Sequence, residues 1–166
     1  RDLFFDISKL KKNFYKISGE QKLSFDASLD FEEGKSLTKN FVFYGDKYHF
    51  ETDIKLQNLD NILPKRGYNF SWVNGLKYQE YNTIDESNGA LALASFNGEA
   101  REIDATDDVE IKDAVKGTTF DYAGIKNKYF AVAFKTDMKN GTVDLYGSKE
   151  LTSNEGVVEH YDMQIR

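Results

Sequence analysis

Residues 22–31 read KLSFDASLDF, placing Leu23, Phe25, Ala27, Leu29 and Phe31 on one side and Ser24, Asp26, Ser28 and Asp30 on the other. Apolar and polar residues that alternate this strictly form a β-strand with one dry and one wet face, because successive side chains of a strand point to opposite sides. The same period returns at residues 48–56, where Tyr48, Phe50, Thr52, Ile54 and Leu56 interleave with His49, Glu51, Asp53 and Lys55. The run Phe41-Val42-Phe43-Tyr44 precedes it, and Gly45-Asp46-Lys47 supplies a turn between the two, so the pair predicts a hairpin. Residues 90–96 and 99–103 flank Asn97-Gly98, a dipeptide suited to the positive φ angles of a type I′ turn, and predict a second hairpin.

Residues 128–135, KYFAVAFK, form an almost continuous apolar run that predicts a strand buried on both faces. A strand at 142–146 is expected after a turn at Asn140-Gly141, and the chain ends on a strand over 157–166, with Val157, Tyr161, Met163 and Ile165 on its apolar side. Helical pattern is confined to short stretches at 76–86 and 107–116, neither with a sustained apolar stripe. The expected fold is all-β, an antiparallel β-sandwich in which residues 1–166 make a single domain. Leu23, Phe25, Leu29, Phe50, Ile54, Phe130, Val132 and Phe134 are its expected core.

The 166 residues suffice for such a core without staples. The absence of cysteine excludes disulfides, thiolate metal sites and a cysteine nucleophile. A net charge of −6 argues against a nucleic-acid partner and against direct binding to anionic lipid. Mean hydropathy is −0.61, and no apolar run reaches the roughly 20 residues that cross a bilayer. The sequence opens on Arg1 rather than Met and carries no signal-peptide pattern, so the expectation is a piece of a longer chain, truncated at its ends.

Reactive constellations are scarce. His49 and His160 could serve as an acid/base pair at a sugar ring, but both fall on polar strand faces, where solvent-facing residues are the ordinary outcome. Asp104, Asp107, Asp108 and Glu110 invite a calcium reading, yet lack the glycine and spacing of an EF-hand loop and read as a solvated charge run. Glu32-Glu33 and Glu80 have no partner identifiable from the sequence. No serine lies in GxSxG or SxxK, and no glycine pattern marks a nucleotide site. Tyr68, Trp72, Tyr78 and Tyr81 are the aromatics that could stack on a sugar, although core or rim packing is their ordinary role. The sequons at Asn69 and Asn140 would matter only in a eukaryotic secretory setting. The expectation is therefore no catalytic residue, no metal and no cofactor.

Residues 120–134, FDYAGIKNKYFAVAF, resemble a signature of the large extracytoplasmic domain of the bacterial membrane-protein insertase YidC, with Tyr122, Gly124 and the run Ile125 to Phe130 filling its places. Asn69-Phe70-Ser71-Trp72 followed by Gly75-Leu76 and Glu80 is similar to a second family pattern, and the strands at 21–31 and 41–56 to a third. The likeness covers about residues 20–136. It departs from the family at Tyr122, where Trp is usual, and at Lys135-Thr136, where Ile-Pro is usual. The Gly-Gly strand pair that commonly opens the family domain, and the segment returning to the membrane, have no counterpart here. The resemblance implies a galactose-mutarotase-type β-supersandwich with no established catalysis. It implies a location on the periplasmic side of the bacterial inner membrane, between the first two transmembrane helices of a multi-pass protein. Implied partners are the Sec translocon with its accessory subunits, or nascent membrane proteins. The membrane-embedded groove and arginine that perform insertion in the family have no counterpart, so no functional residue carries over. Two other readings share the architecture: a carbohydrate-binding or mutarotase-like sandwich, and a free periplasmic or lipoprotein β-domain.

Overall fold

The computed structural model describes residues 4–8, 10–60, 68–106, 109–151 and 156–166. It is all-β and antiparallel, with one four-residue helix among the described residues, and divides into two compact units, Arg1–Gly67 and Tyr68–Arg166.

The first unit holds a three-stranded sheet, β1 (Lys22–Asp30), β2 (Ser36–Tyr44) and β3 (Phe50–Gln57), in the order β1-β2-β3. Register follows the alternation: Leu23 faces Phe43, Phe25 faces Phe41, and Phe43 faces Phe50 across the ladder. These pairings stack the rings of Phe25 on Phe41 at 5.3 Å and of Phe43 on Phe50 at 5.1 Å. Each such pair adds about 0.5–1.5 kcal/mol beyond its buried area. A single 3-10 turn, Glu32–Gly34, joins β1 to β2, and the Asn58 amide donates to the Gly34 carbonyl at 3.1 Å. Of the residues expected in the core here, Leu23, Phe25, Leu29 and Ile54 are half-buried, while Phe50, at the start of the edge strand β3, is 46% exposed.

The second unit is one seven-stranded sheet folded over itself. Its strands are β4 (Phe70–Trp72), β5 (Leu91–Phe96), β6 (Glu99–Ile103), β7 (Glu110–Lys126), β8 (Ala131–Phe134), β9 (Lys139–Leu151) and β10 (Val157–Ile165). The 17-residue β7 does the folding. Its first half pairs with β9 up to Thr119, and from Phe120 it pairs with β5, with β8 joining on the other side at Ala123. A register shift where β5 meets β7 marks the change of partner, and Asp121 fills it by accepting from the Ser95 hydroxyl and the Gly98 amide at 2.9 and 2.7 Å. Two layers result, with Val115, Val143, Leu145, Tyr161, Met163 and Ile165 of one facing Ala92, Ala94, Phe96, Ala123 and Ile125 of the other. Phe96 meets Phe120 edge-on at 5.3 Å, and Phe70 meets Phe134 likewise at 4.6 Å. The β5–β6 turn has Asn97 and Gly98 both at positive φ (54° and 79°), as the dipeptide predicts.

Three local readings of the sequence are corrected. Residues 128–135 are not a doubly buried strand: Lys128 to Phe130 belong to a turn, and β8 is a four-residue edge strand with alternating exposure. Phe130 is accordingly 54% exposed, while Val132 and Phe134 pack against the core. Within 107–116 the described residues from Glu110 onward are β7, with Ile111, Asp113 and Val115 inward, and Asp113 is what hides the alternation. Asn140 does take a positive φ, but β9 runs straight through it rather than starting after a turn.

At Gly147 a strand passes close to two side chains of this core. A Cβ there would lie 2.8 Å from Cε1 of Tyr161 and 2.9 Å from Cγ2 of Ile111. The Tyr161 ring is held by its hydroxyl and cannot swing aside. Gly147→Ala is expected to cost about 1–3 kcal/mol by overpacking, read from the urea midpoint.

Candidate functional site

Beyond the three residues Met163 to Ile165 paired with β4, one edge of β10 has no neighbouring strand among the described residues, and side chains from residues 74–87 take the place of one. The Tyr78 hydroxyl accepts from the Glu159 amide at 2.9 Å and approaches the Glu159 carbonyl at 3.2 Å and the Ser87 hydroxyl at 3.0 Å. Ser87 in turn donates to the Val157 carbonyl at 2.7 Å. Asp162 accepts from the Asn74 amide at 2.7 Å, and the Trp72 indole donates to the Gly75 carbonyl at 2.8 Å, which sets the chain leaving β4 onto this path. Backbone groups that a longer β4 would have paired are thus satisfied by side chains. Burial holds the Tyr78 hydroxyl pKa above its ordinary value, so it stays a neutral donor and acceptor.

The segment is fastened at its other end by Glu86, in helix α1 (Ile84–Ser87), whose side chain is fully buried. Its Oε2 accepts from the amides of Gln79 and Glu80 at 2.8 and 3.0 Å, and its Oε1 accepts from the Asn127 side-chain amide at 2.7 Å. Asn127 shapes the turn between β7 and β8. Its Oδ1 takes the amides of Tyr129 and Phe130 at 3.0 and 2.8 Å, while its own backbone N–H reaches the Phe130 carbonyl at 2.9 Å. Above this joint Lys128 pairs with Glu80 at 3.2 Å, and the Tyr129 hydroxyl donates to the same carboxylate. Tyr129 first and Lys128 second hold the Glu80 carboxyl below its ordinary pKa.

A third cluster sits at the other face of β10. Tyr161, buried, accepts from the Ala105 amide at 2.9 Å and lies 3.2 Å from the Ala90 carbonyl and 2.7 Å from Oε2 of Glu159. Glu159 is only 4% exposed, and burial is the main cause that raises its carboxyl pKa.

The residues singled out from the sequence fall into place around these joints. Trp72 and Tyr78 are working parts of the framework, whereas Tyr68 and Tyr81 are exposed. His49 is exposed before β3, its ring 5.6 Å from that of Tyr44; His160 is exposed on β10, opposite Ser148. They belong to different compact units. Asp104 accepts from the amide and hydroxyl of Thr106 at 2.8 and 2.5 Å, closing its own turn; Asp107 and Asp108 lie outside the described residues. Sequence reading missed Glu86 and Glu159. Glu159 did leave a signal, since it has the parity of Val157, Tyr161, Met163 and Ile165.

Among known proteins the YidC periplasmic domain family matches residues 7–166. The chain belongs to this family. It is 31% identical over 150 residues to the membrane protein insertase YidC of Chlorobaculum parvum, covering 90% of this chain and 25% of that protein. To the YidC insertase of Chloroherpeton thalassium it is 25% identical over 166 residues, covering 99% of this chain and 28% of that protein. With the Chlorobium limicola YidC insertase it shares 30% identity over 149 residues, 90% of this chain and 25% of that protein. The chain thus spans about a quarter of the length of these relatives. No solved structure matches it. Among the described residues no helix is long and apolar enough to cross a membrane. In this YidC periplasmic domain the run Ile125 to Phe130 is the end of β7 and the turn built on Asn127, which is fastened to Glu86.

Proposed function

We propose that this chain is the part of a YidC-type insertase exposed on the periplasmic side of the bacterial inner membrane, and that it acts by protein contact rather than catalysis. In this role it supports insertion and folding of inner-membrane proteins, with nascent membrane proteins or the Sec translocon and its accessory subunits as partners. The observation that carries the reading is the family match over residues 7–166, which takes in the joints just described. The buried polar side chains at those joints are engaged with backbone and with one another. Next to them Tyr81, Ile84, Tyr129 and Phe130 stand exposed, a composition suited to protein contact.

Photo-crosslinking side chains placed at Tyr81 and Tyr129 in the full-length insertase test it. Adducts to a Sec subunit or to a nascent membrane protein are expected. Absence of both, with insertion unimpaired after deletion of residues 7–166, would overturn the partner reading. Polarimetry with galactose and glucose tests the absence of catalysis: a rate above buffer that either His49→Ala or His160→Ala abolishes would make this a mutarotase.

A further inference from the structure

The Tyr161 hydroxyl is surrounded by more hydrogen-bond demand than one phenol can meet. The Ala105 amide donates to it, while the Ala90 carbonyl and Glu159 Oε2 both lie where they would accept its single proton. If Glu159 is ionised, it takes that proton and the Ala90 carbonyl loses it. If Glu159 is a neutral acid, its own O–H donates to the phenol oxygen, and the phenol proton is free for Ala90. All four groups are then served.

We propose that Glu159 is a proton-controlled latch, which as a neutral acid completes the set around Tyr161 and fastens Ala90, just before β5, to β10, and on ionising releases it. The surroundings favour the neutral form. Glu159 is almost wholly buried, and an isolated carboxylate is costly there. From the β6–β7 connection Asp104 adds a like charge, which disfavours ionisation, while the Thr106 hydroxyl offers a bond that favours it. From β9, Lys149 lies opposite Glu159 in the ladder; it favours ionisation, but its ammonium is engaged with the Thr106 carbonyl. On the remaining side Tyr78 holds the Glu159 backbone and stands within the fields of both Glu159 and Glu86. The next residue, His160, is exposed. Burial outweighs the rest, the Tyr161 O–H bond that favours ionisation included, and raises the Glu159 pKa.

A group whose pKa is raised on folding contributes stability that is full below its unfolded value, about 4.5, and is lost as pH rises through the folded value. The test compares the full chain with Glu159→Gln, which keeps the neutral shape and cannot ionise. The carbonyl carbon shift of Ala90, which reports its hydrogen bond from Tyr161, is followed by NMR from about pH 5 to pH 8. The wild-type Ala90 carbonyl resonance should move over the range in the direction of a lost hydrogen bond, while that of Glu159→Gln stays in place. Carbon NMR of the Glu159 carboxyl in the wild type covers the case in which the variant does not fold. Titration above the ordinary glutamate range is expected. A Glu159 that titrates at or below that range, or an Ala90 carbonyl that shifts equally in both proteins, would overturn the latch.

Discussion

Replacing Phe96 with alanine is expected to cost about 3–5 kcal/mol. Phe96 is buried between the layers of the second unit, edge-on to Phe120, and the fold at Gly117 brings β7 directly over its Cβ. Neither layer can collapse into the vacancy without disturbing the place where β7 changes partner. Phe130→Ala removes an equally large ring from a turn where it is 54% exposed, and should cost less than about 1 kcal/mol. The single tryptophan, Trp72, packs against the same core and reports unfolding of this unit by fluorescence. Equal losses for the two variants in urea would show that the KYFAVAFK run is buried after all, and that the layer arrangement is wrong.

Glu86→Ala should come next, at about 3 kcal/mol or more. It removes no large apolar surface, so its cost has a different origin. Three donors, the amides of Gln79 and Glu80 and the side chain of Asn127, lose their acceptor at once. Each buried donor left unpaired costs roughly 1–3 kcal/mol, reduced where water can enter. Glu86→Gln should be intermediate. Its oxygen can still serve the two backbone amides, but its NH2 then meets the Asn127 NH2, and Asn127 cannot turn over because its oxygen holds the Tyr129 and Phe130 amides. Urea midpoints that place Gln level with Ala would mean that the Asn127 contact dominates the site.

Local alternation carried most of the fold. β1, the β2–β3 pair and the Asn97-Gly98 hairpin were legible because each is specified within about ten residues by parity and turn chemistry. What stayed hidden depends on partners far along the chain. The run at 128–135 looked like a central strand because its apolar content is continuous. Whether it lies centrally or at an edge is decided by the Asn127 turn, which takes back its first three residues. Asp113 on the inward face of β7 made a strand look helical, and β9 continues through Asn140 because pairing to β7 on both sides of that residue overrides the turn preference. The joints were less legible still. Asn127 stands in the family signature, but its partner Glu86 lies 41 residues upstream in a four-residue helix with no apolar stripe. Glu159 lay on the apolar parity of β10, where an acid out of place was the available sign.

The residues bearing the family signature fasten the 74–87 segment to the β7–β8 turn. A double-mutant cycle of Glu86→Ala and Asn127→Ala, read by Trp72 fluorescence in urea, tests this most directly. The two side chains meet at 2.7 Å in a buried site, so the losses should be strongly non-additive, with a coupling of about 1–3 kcal/mol and a double variant hardly worse than Glu86→Ala alone. Simple additivity, with coupling within about 0.5 kcal/mol of zero, would contradict the claim.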